Sequence, residues 1–228
     1  MTAALGWGAL AASSLVIGAL LGLARDWPDR VVGIVLAFGA GALVSAVSFD
    51  LAEEGLKIGS GAAVGGGLAV GALTYFGLDR LVERRSSGAG AGPALALGAF
   101  LDGLPEQAVL GIGLAAGEGV SVSLLAAIFV SNLPEAIGSA TEMRAAGSRP
   151  ATIRRLWIAV AVVCTLATVV GYAIADNTGG DFKAAINGFA AGALLVMLID
   201  SMIPEAARKA GDVAGLVTVL GFAVAIAL

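Results

Sequence analysis

Long apolar stretches, broken by short charged or glycine-rich turns, run the whole length of this 228-residue chain. Each approaches or exceeds the ~20 residues that a helix needs to cross about 30 Å of hydrocarbon. They predict helices at about 3–24, 31–56, 62–82, 93–116, 120–146, 151–175, 184–209 and 213–228. Arg25-Asp26-Trp27-Pro28-Asp29-Arg30 and Asp176-Asn177-Thr178-Gly179-Gly180-Asp181 read as charged loops, the first with an interfacial Trp. Glu83-Arg84-Arg85-Ser86-Ser87-Gly88-Ala89-Gly90-Ala91-Gly92 is the one clear linker, and Gly65-Gly66-Gly67 invites close helix contact. No basic residue precedes the first span, so a cleavable signal peptide is not expected.

Hydrophobic residues make up 58% of the chain and charged residues 13%, which places it among polytopic membrane proteins rather than globular domains. The net charge of -4 says little about soluble partners, because the acids lie inside apolar segments, and no nucleic-acid partner is expected. There is no histidine, which removes the commonest metal ligand, so any site must be built mainly from oxygen. The single cysteine, Cys164, sits in an apolar stretch and reads as a buried, inert thiol.

Charge placement sharpens the topology. With eight spans and the first residue outside, eleven of the thirteen basic residues fall in cytoplasmic loops, Arg208 and Lys209 among them, and only Lys57 and Lys183 fall opposite. Both termini are therefore expected outside. A weak repeat is visible at a constant offset of 151, which aligns Gly41 with Gly192 and Glu54 with Glu205. The second and seventh spans run in opposite directions, so the repeat is inverted, and such repeats commonly bind their substrate near the midplane.

The candidate chemistry lies in the fourth and fifth spans. Leu101-Asp102-Gly103-Leu104-Pro105-Glu106-Gln107 is echoed by Ser131-Asn132-Leu133-Pro134-Glu135-Ala136-Ile137. Residues three or four apart share a helix face, so Asp102 projects with Glu106, and Ser131 and Asn132 project with Glu135. Each proline frees the carbonyl four residues earlier, at Leu101, Val130 and, for Pro204, Asp200. Ionised side chains are expensive in hydrocarbon and no Lys or Arg is predicted deep in a span, so protonation or a bound cation must neutralise the acids. Asp200, well inside its span, and Asp50, Glu54, Glu142 and Glu205, nearer the span ends, are candidates to line a pathway.

At these residues the chain resembles the ZIP (Zrt/Irt-like protein) family of divalent metal transporters, which carry a Pro-Glu on two adjacent helices of a three-two-three arrangement. The resemblance covers essentially the whole chain and includes the stretch from Asp200 to Ala206. The usual His-Asn-x-Pro-Glu-Gly of the fourth helix corresponds to Asp102, Gly103, Leu104, Pro105, Glu106 and Gln107. On the fifth helix the matching residues run from Ser131 to Ala136. Both glutamates are kept. The histidine is Asp102, the following amide is Gly103, and both motif-ending glycines are replaced. A carboxylate in place of imidazole adds charge and hardens the site, and losing a ligand at Gly103 leaves one bound ion or two open. The family's His-rich cytoplasmic loop is absent, so metal sensing there is not expected.

The resemblance implies an all-α integral membrane protein of one domain, 1–228, built as a 3+2+3 inverted-repeat bundle in a cell membrane of the bacterial inner-membrane type. It implies a permease that moves a divalent cation such as Zn, Fe or Mn toward the cytoplasm by alternating access. The first, fourth, fifth and sixth helices would slide against the others. Asp102, Glu106 and Glu135 would bind the ion, supplemented by Ser131 and Asn132. The metal is substrate, no prosthetic group is expected, and the partners are the cation and the lipid bilayer, with a homodimer left open. Two alternatives stand: a carrier of protons or an organic cation on the same fold, and an intramembrane metal-dependent hydrolase using Glu53-Glu54 and the paired acids.

Overall fold

A computed structural model describes residues 1–86, 91–115, 120–176 and 179–228, and everything described is helix or short turn. Helix α1 is Thr2–Ala24 and α2 is Asp29–Ile58. Helix α3 is Gly61–Ser86, α4 is Ala91–Ala115, α5 is Val122–Ala145 and α6 is Pro150–Asp176. Helix α7 starts as Gly180–Met197, passes through the π-helical segment Leu198–Met202 and ends as Ile203–Ala210. Gly211, at φ +66°, breaks it, and α8 follows as Ala214–Ile226. Helices suit such a sequence because each satisfies its backbone groups internally, without water.

Six stretches of the described residues are long and apolar enough to cross a membrane: Thr2–Ala24, Asp29–Ile58, Gly61–Val82, Val122–Ala145, Pro150–Ala175 and Gly180–Ile226. The last contains both α7 and α8. Large apolar side chains such as Leu73, Val170, Leu216 and Val219 cover the outside, while alanines and glycines fill much of the interior. A soluble monomer rarely exposes so much contiguous apolar surface. The chain is a multi-pass membrane protein.

The structure corrects the expected linker. Glu83 to Ser86 are the last turn of α3 and Ala91 and Gly92 the first of α4, while 87–90 lie outside the described residues. Likewise Asp176 closes α6 and Gly180 opens α7, with 177–178 outside the described residues. Of the triplet expected at a helix contact, only Gly67 makes one. A Cβ there would fall 2.0 Å from the Ala185 carbonyl oxygen, whereas Gly65 and Gly66 face open space.

The broadest interfaces join α3 to α7, α4 to α6, α1 to α5 and α6, and α2 to α8 and α5. Several of them close on glycine. A Cβ on Gly41 would fall 1.8 Å from the Thr218 carbonyl oxygen of α8, and one on Gly192 would fall 2.1 Å from the Leu68 carbonyl oxygen of α3. The π-helical segments, Val47–Glu53 in α2 and Leu198–Met202 in α7, begin 151 residues apart, the separation of those two glycines. Extra residues of this kind inside an α-helix often mark functional positions.

Candidate functional site

Pro105 and Pro134 both lie inside their helices, α4 and α5, and the residues beside them meet in the interior. Glu106 is 1% exposed, and Ser131 and Asn132 are fully buried. The Asn132 Nδ2 donates to Glu106 Oε2 at 2.8 Å and to the Ile128 carbonyl oxygen at 3.0 Å. The Ser131 hydroxyl lies 3.0 Å from Glu106 Oε1 and 3.0 Å from the same Ile128 carbonyl, so its one proton serves one of the two. Ile128, Ser131, Asn132 and Glu135 follow helical spacing on one face of α5, which is why they reach α4 together. Gly39 lets α2 press against this face, since a Cβ there would lie 2.9 Å from the Ser131 Cα.

Asp102, one turn before Glu106, is held differently. The Tyr75 hydroxyl of α3 donates to Asp102 Oδ1, and the Ser201 hydroxyl of α7 donates to Oδ2 at 3.3 Å. Asp79, one turn beyond Tyr75 on α3, and Glu205 on α7 both bear electrostatically on Asp102. Glu135 is partly buried and lies in the field of Asp102, Glu106 and Glu205. Five carboxylates, Asp79, Asp102, Glu106, Glu135 and Glu205, therefore share one region of the bundle. Among the described residues, no three His, Cys, Asp or Glu side chains are close enough together to hold a metal ion at once. The physical reason is visible at two of them, whose oxygens are directed to hydroxyl and amide donors on different helices.

A base nevertheless reaches the acids from a span end. Lys209, the last residue of the expected seventh span, lies in the last turn of α7, and its side chain is 5% exposed with Nζ 2.6 Å from Glu205 Oε1. Gly138 of α5 makes room for it, since a Cβ there would lie 3.2 Å from that nitrogen. Gly138 is three residues beyond Glu135, so the ammonium sits at one end of the acidic region.

The remaining candidates separate. Asp50 and Glu54 line a cavity of about 370 Å³ with Glu53, Lys57 and Ser121, whose hydroxyl is 3.4 Å from Asp50 Oδ1. Lys57 pairs with Glu53 at 3.0 Å and approaches Glu54 at 3.9 Å. Asp200 and Glu142 are exposed. Sequence reasoning missed Tyr75, Asp79 and the pairing of Lys209. The signal available was the four-residue spacing of Tyr75 and Asp79 inside an apolar span, which puts both on one face. It also missed Gln107, buried with its Oε1 accepting from the Thr168 hydroxyl at 2.7 Å.

No family profile matches the chain. A candidate zinc transporter from Arabidopsis thaliana is 30% identical over 189 residues, an alignment that takes in 78% of this chain. The chain spans 30% of the length of that relative.

Proposed function

We propose that this chain is a ZIP-type permease that moves a divalent metal cation toward the cytoplasm by alternating access. The observation that carries the reading is the meeting of Glu106, Asp102 and Glu135 inside a membrane bundle, with Ser131 and Asn132 holding the Glu106 carboxylate. Buried acids of this density mark a cation pathway far more readily than a packing core. The Arabidopsis relative, named as a candidate zinc transporter, supports a metal as the cargo. Zn, Fe, Mn or a similar ion remains the proposed class, and in this reading the chain carries out transport and no catalysis.

The architecture proposed is a single domain, 1–228, of eight spans in a 3+2+3 inverted repeat, with both termini outside a cell membrane of the bacterial inner-membrane type. Paired glycine contacts support the repeat: Gly41 on Thr218 matches Gly192 on Leu68, and Gly71 on Phe189 matches Gly221 on Phe38. Each match holds at a sequence offset of 150 or 151. In this orientation the cavity at Asp50 and Glu54 opens outside and the Glu205–Lys209 pair lies at the cytoplasmic end.

Asp102, Glu106 and Glu135 would gather around the ion, whose charge offsets their mutual repulsion. Asp102 is the moving part of that set. Its partners Tyr75 and Ser201 belong to the helices that would stay fixed, whereas Glu106 bonds within the group that would slide. Loading the ion would therefore exchange the Tyr75 and Ser201 bonds for coordination and free one helix group from the other. Proteoliposomes containing the purified chain should take up Zn²⁺ or Mn²⁺, and Glu106→Ala and Glu135→Ala should each abolish uptake. Absence of uptake, or uptake unchanged in both variants, rejects the reading.

A further inference from the structure

We propose that Cys164 gives a sulfur ligand to a divalent ion bound at Glu106, so that the site favours thiophilic cations over purely oxygen-seeking ones. This rests on the reading of the Glu106 region as a cation site and adds a donor outside its oxygen set. Cys164 is fully buried on α6. Its Sγ lies 3.1 Å from the point that a Cβ on Gly103 would occupy, so the thiol presses into the gap left by a missing side chain on α4. Glu106 acts electrostatically on that thiol.

A buried thiol alone is more often a small space-filling group than a ligand. The second observation is Asn132. Its Oδ1, completely buried and 3.9 Å from the same point, has no hydrogen-bond partner among the described residues. Its orientation is not arbitrary. Both hydrogens of Nδ2 are committed, to Glu106 Oε2 and to the Ile128 carbonyl oxygen, so the amide cannot turn over without losing both bonds. A buried amide oxygen left unpaired carries the full cost of its lost hydration. Here both it and the Cys164 sulfur border the gap at Gly103, and the carboxylate of Glu106 is bonded to the same amide.

Metal–sulfur and metal–oxygen bonds of about 2.3 and 2.1 Å suit zinc-like ions with mixed ligands. One ion would take Cys164 Sγ, Asn132 Oδ1 and a Glu106 oxygen by rotation of these three side chains toward the gap at Gly103. The thiol would lose its proton to water as the sulfur–metal bond forms. Hard ions such as Mg²⁺ and Ca²⁺ gain nothing from sulfur, whereas Zn²⁺, Cd²⁺ and Co²⁺ do.

Because the chain has one cysteine, a thiolate signature reports on it alone. Co²⁺ added to the purified full-length protein should give a thiolate-to-cobalt charge-transfer band in the near ultraviolet, absent from Cys164→Ala and Cys164→Ser. Cd²⁺ affinity should fall by about tenfold or more in Cys164→Ala while Mn²⁺ affinity changes little. The wild-type spectrum decides even if a variant folds poorly. Co²⁺ binding without the band, or Cd²⁺ affinity unchanged by the substitution, overturns the sulfur ligand and leaves the transport reading standing. Failure of the wild-type chain to bind either ion overturns both.

Discussion

The Lys209 ammonium lies 2.6 Å from the Glu205 carboxylate, one turn earlier on α7, and is almost closed off from solvent, with 5% of its side chain exposed. Arg208 also approaches Glu205, at 3.9 Å, but its own side chain is 67% exposed and adds little. Lys209 is thus a tethered cation on an acid that bears on both Asp102 and Glu135. A mobile divalent ion reaching Glu205 would have to displace it. Lys209→Met should lower stability by about 2 kcal/mol, because a partly buried carboxylate loses its partner. If the chain transports a cation as proposed, the variant should lower the apparent KM and slow turnover, since the ion meets no competitor at Glu205. Thermal melts and liposome uptake measure the two effects. Kinetics unchanged alongside a lowered Tm would make the pair purely structural.

The bonds from Tyr75 and Ser201 to Asp102 make the second prediction. A hydrogen bond to a charged group contributes about 1.5–3 kcal/mol. If these bonds compete with the cation for Asp102, Tyr75→Phe should raise cation affinity by about tenfold and Ser201→Ala by less, given its 3.3 Å length. Calorimetric titration with Zn²⁺ would read this directly. A fall in affinity in Tyr75→Phe would show that the phenol holds Asp102 in place for the ion instead.

Asn132 should matter through Glu106. Asn132→Ala removes the 2.8 Å donor to Glu106 and opens a space in a fully buried position. Uptake should fall by about tenfold or more through a raised KM, as expected when a group that orients a ligand is lost. Asn132→Asp should fall further, because it places a second carboxylate against the first. Equal activity in all three forms would detach Asn132 from the site.

The helices and the paired Pro-Glu segments were legible because membrane burial leaves a strong one-dimensional signal: about twenty apolar residues, then charge. The acids at 102, 106 and 135 stood out against that background for the same reason. What stayed hidden was cross-helix pairing. Lys209 carries a basic residue's signature at a span end, and only the gap at Gly138 shows that its stem turns inward. Tyr75 looked like an ordinary apolar-span residue until α3 was placed beside α4. Composition places Cys164 in an apolar stretch but does not show that its sulfur lies beside Gly103 of another helix. The linker failed differently, because Glu83-Arg84-Arg85-Ser86 is polar yet fully capable of helix, and polarity alone does not end one.

Close backbone approach separates the glycines that matter from those that do not. A Cβ at Gly41 or Gly192 would collide with a carbonyl oxygen at 1.8 or 2.1 Å, far inside any tolerable contact, and backbone cannot rotate away as a side chain can. Gly41→Ala must therefore push α8 from α2, and Gly192→Ala must push α3 from α7. Each should destabilise the purified protein by about 1–3 kcal/mol. If α2 and α7 are repeats, the two losses should be similar and should add when combined, since the interfaces are different ones. Gly65→Ala and Gly66→Ala, with nothing within 4 Å, should be neutral or gain about 1 kcal/mol from better helix propensity. Melts of the four single variants test all of this together. If Gly41→Ala melts like Gly66→Ala, then α2 and α8 do not approach closely and the paired contacts no longer support a repeat.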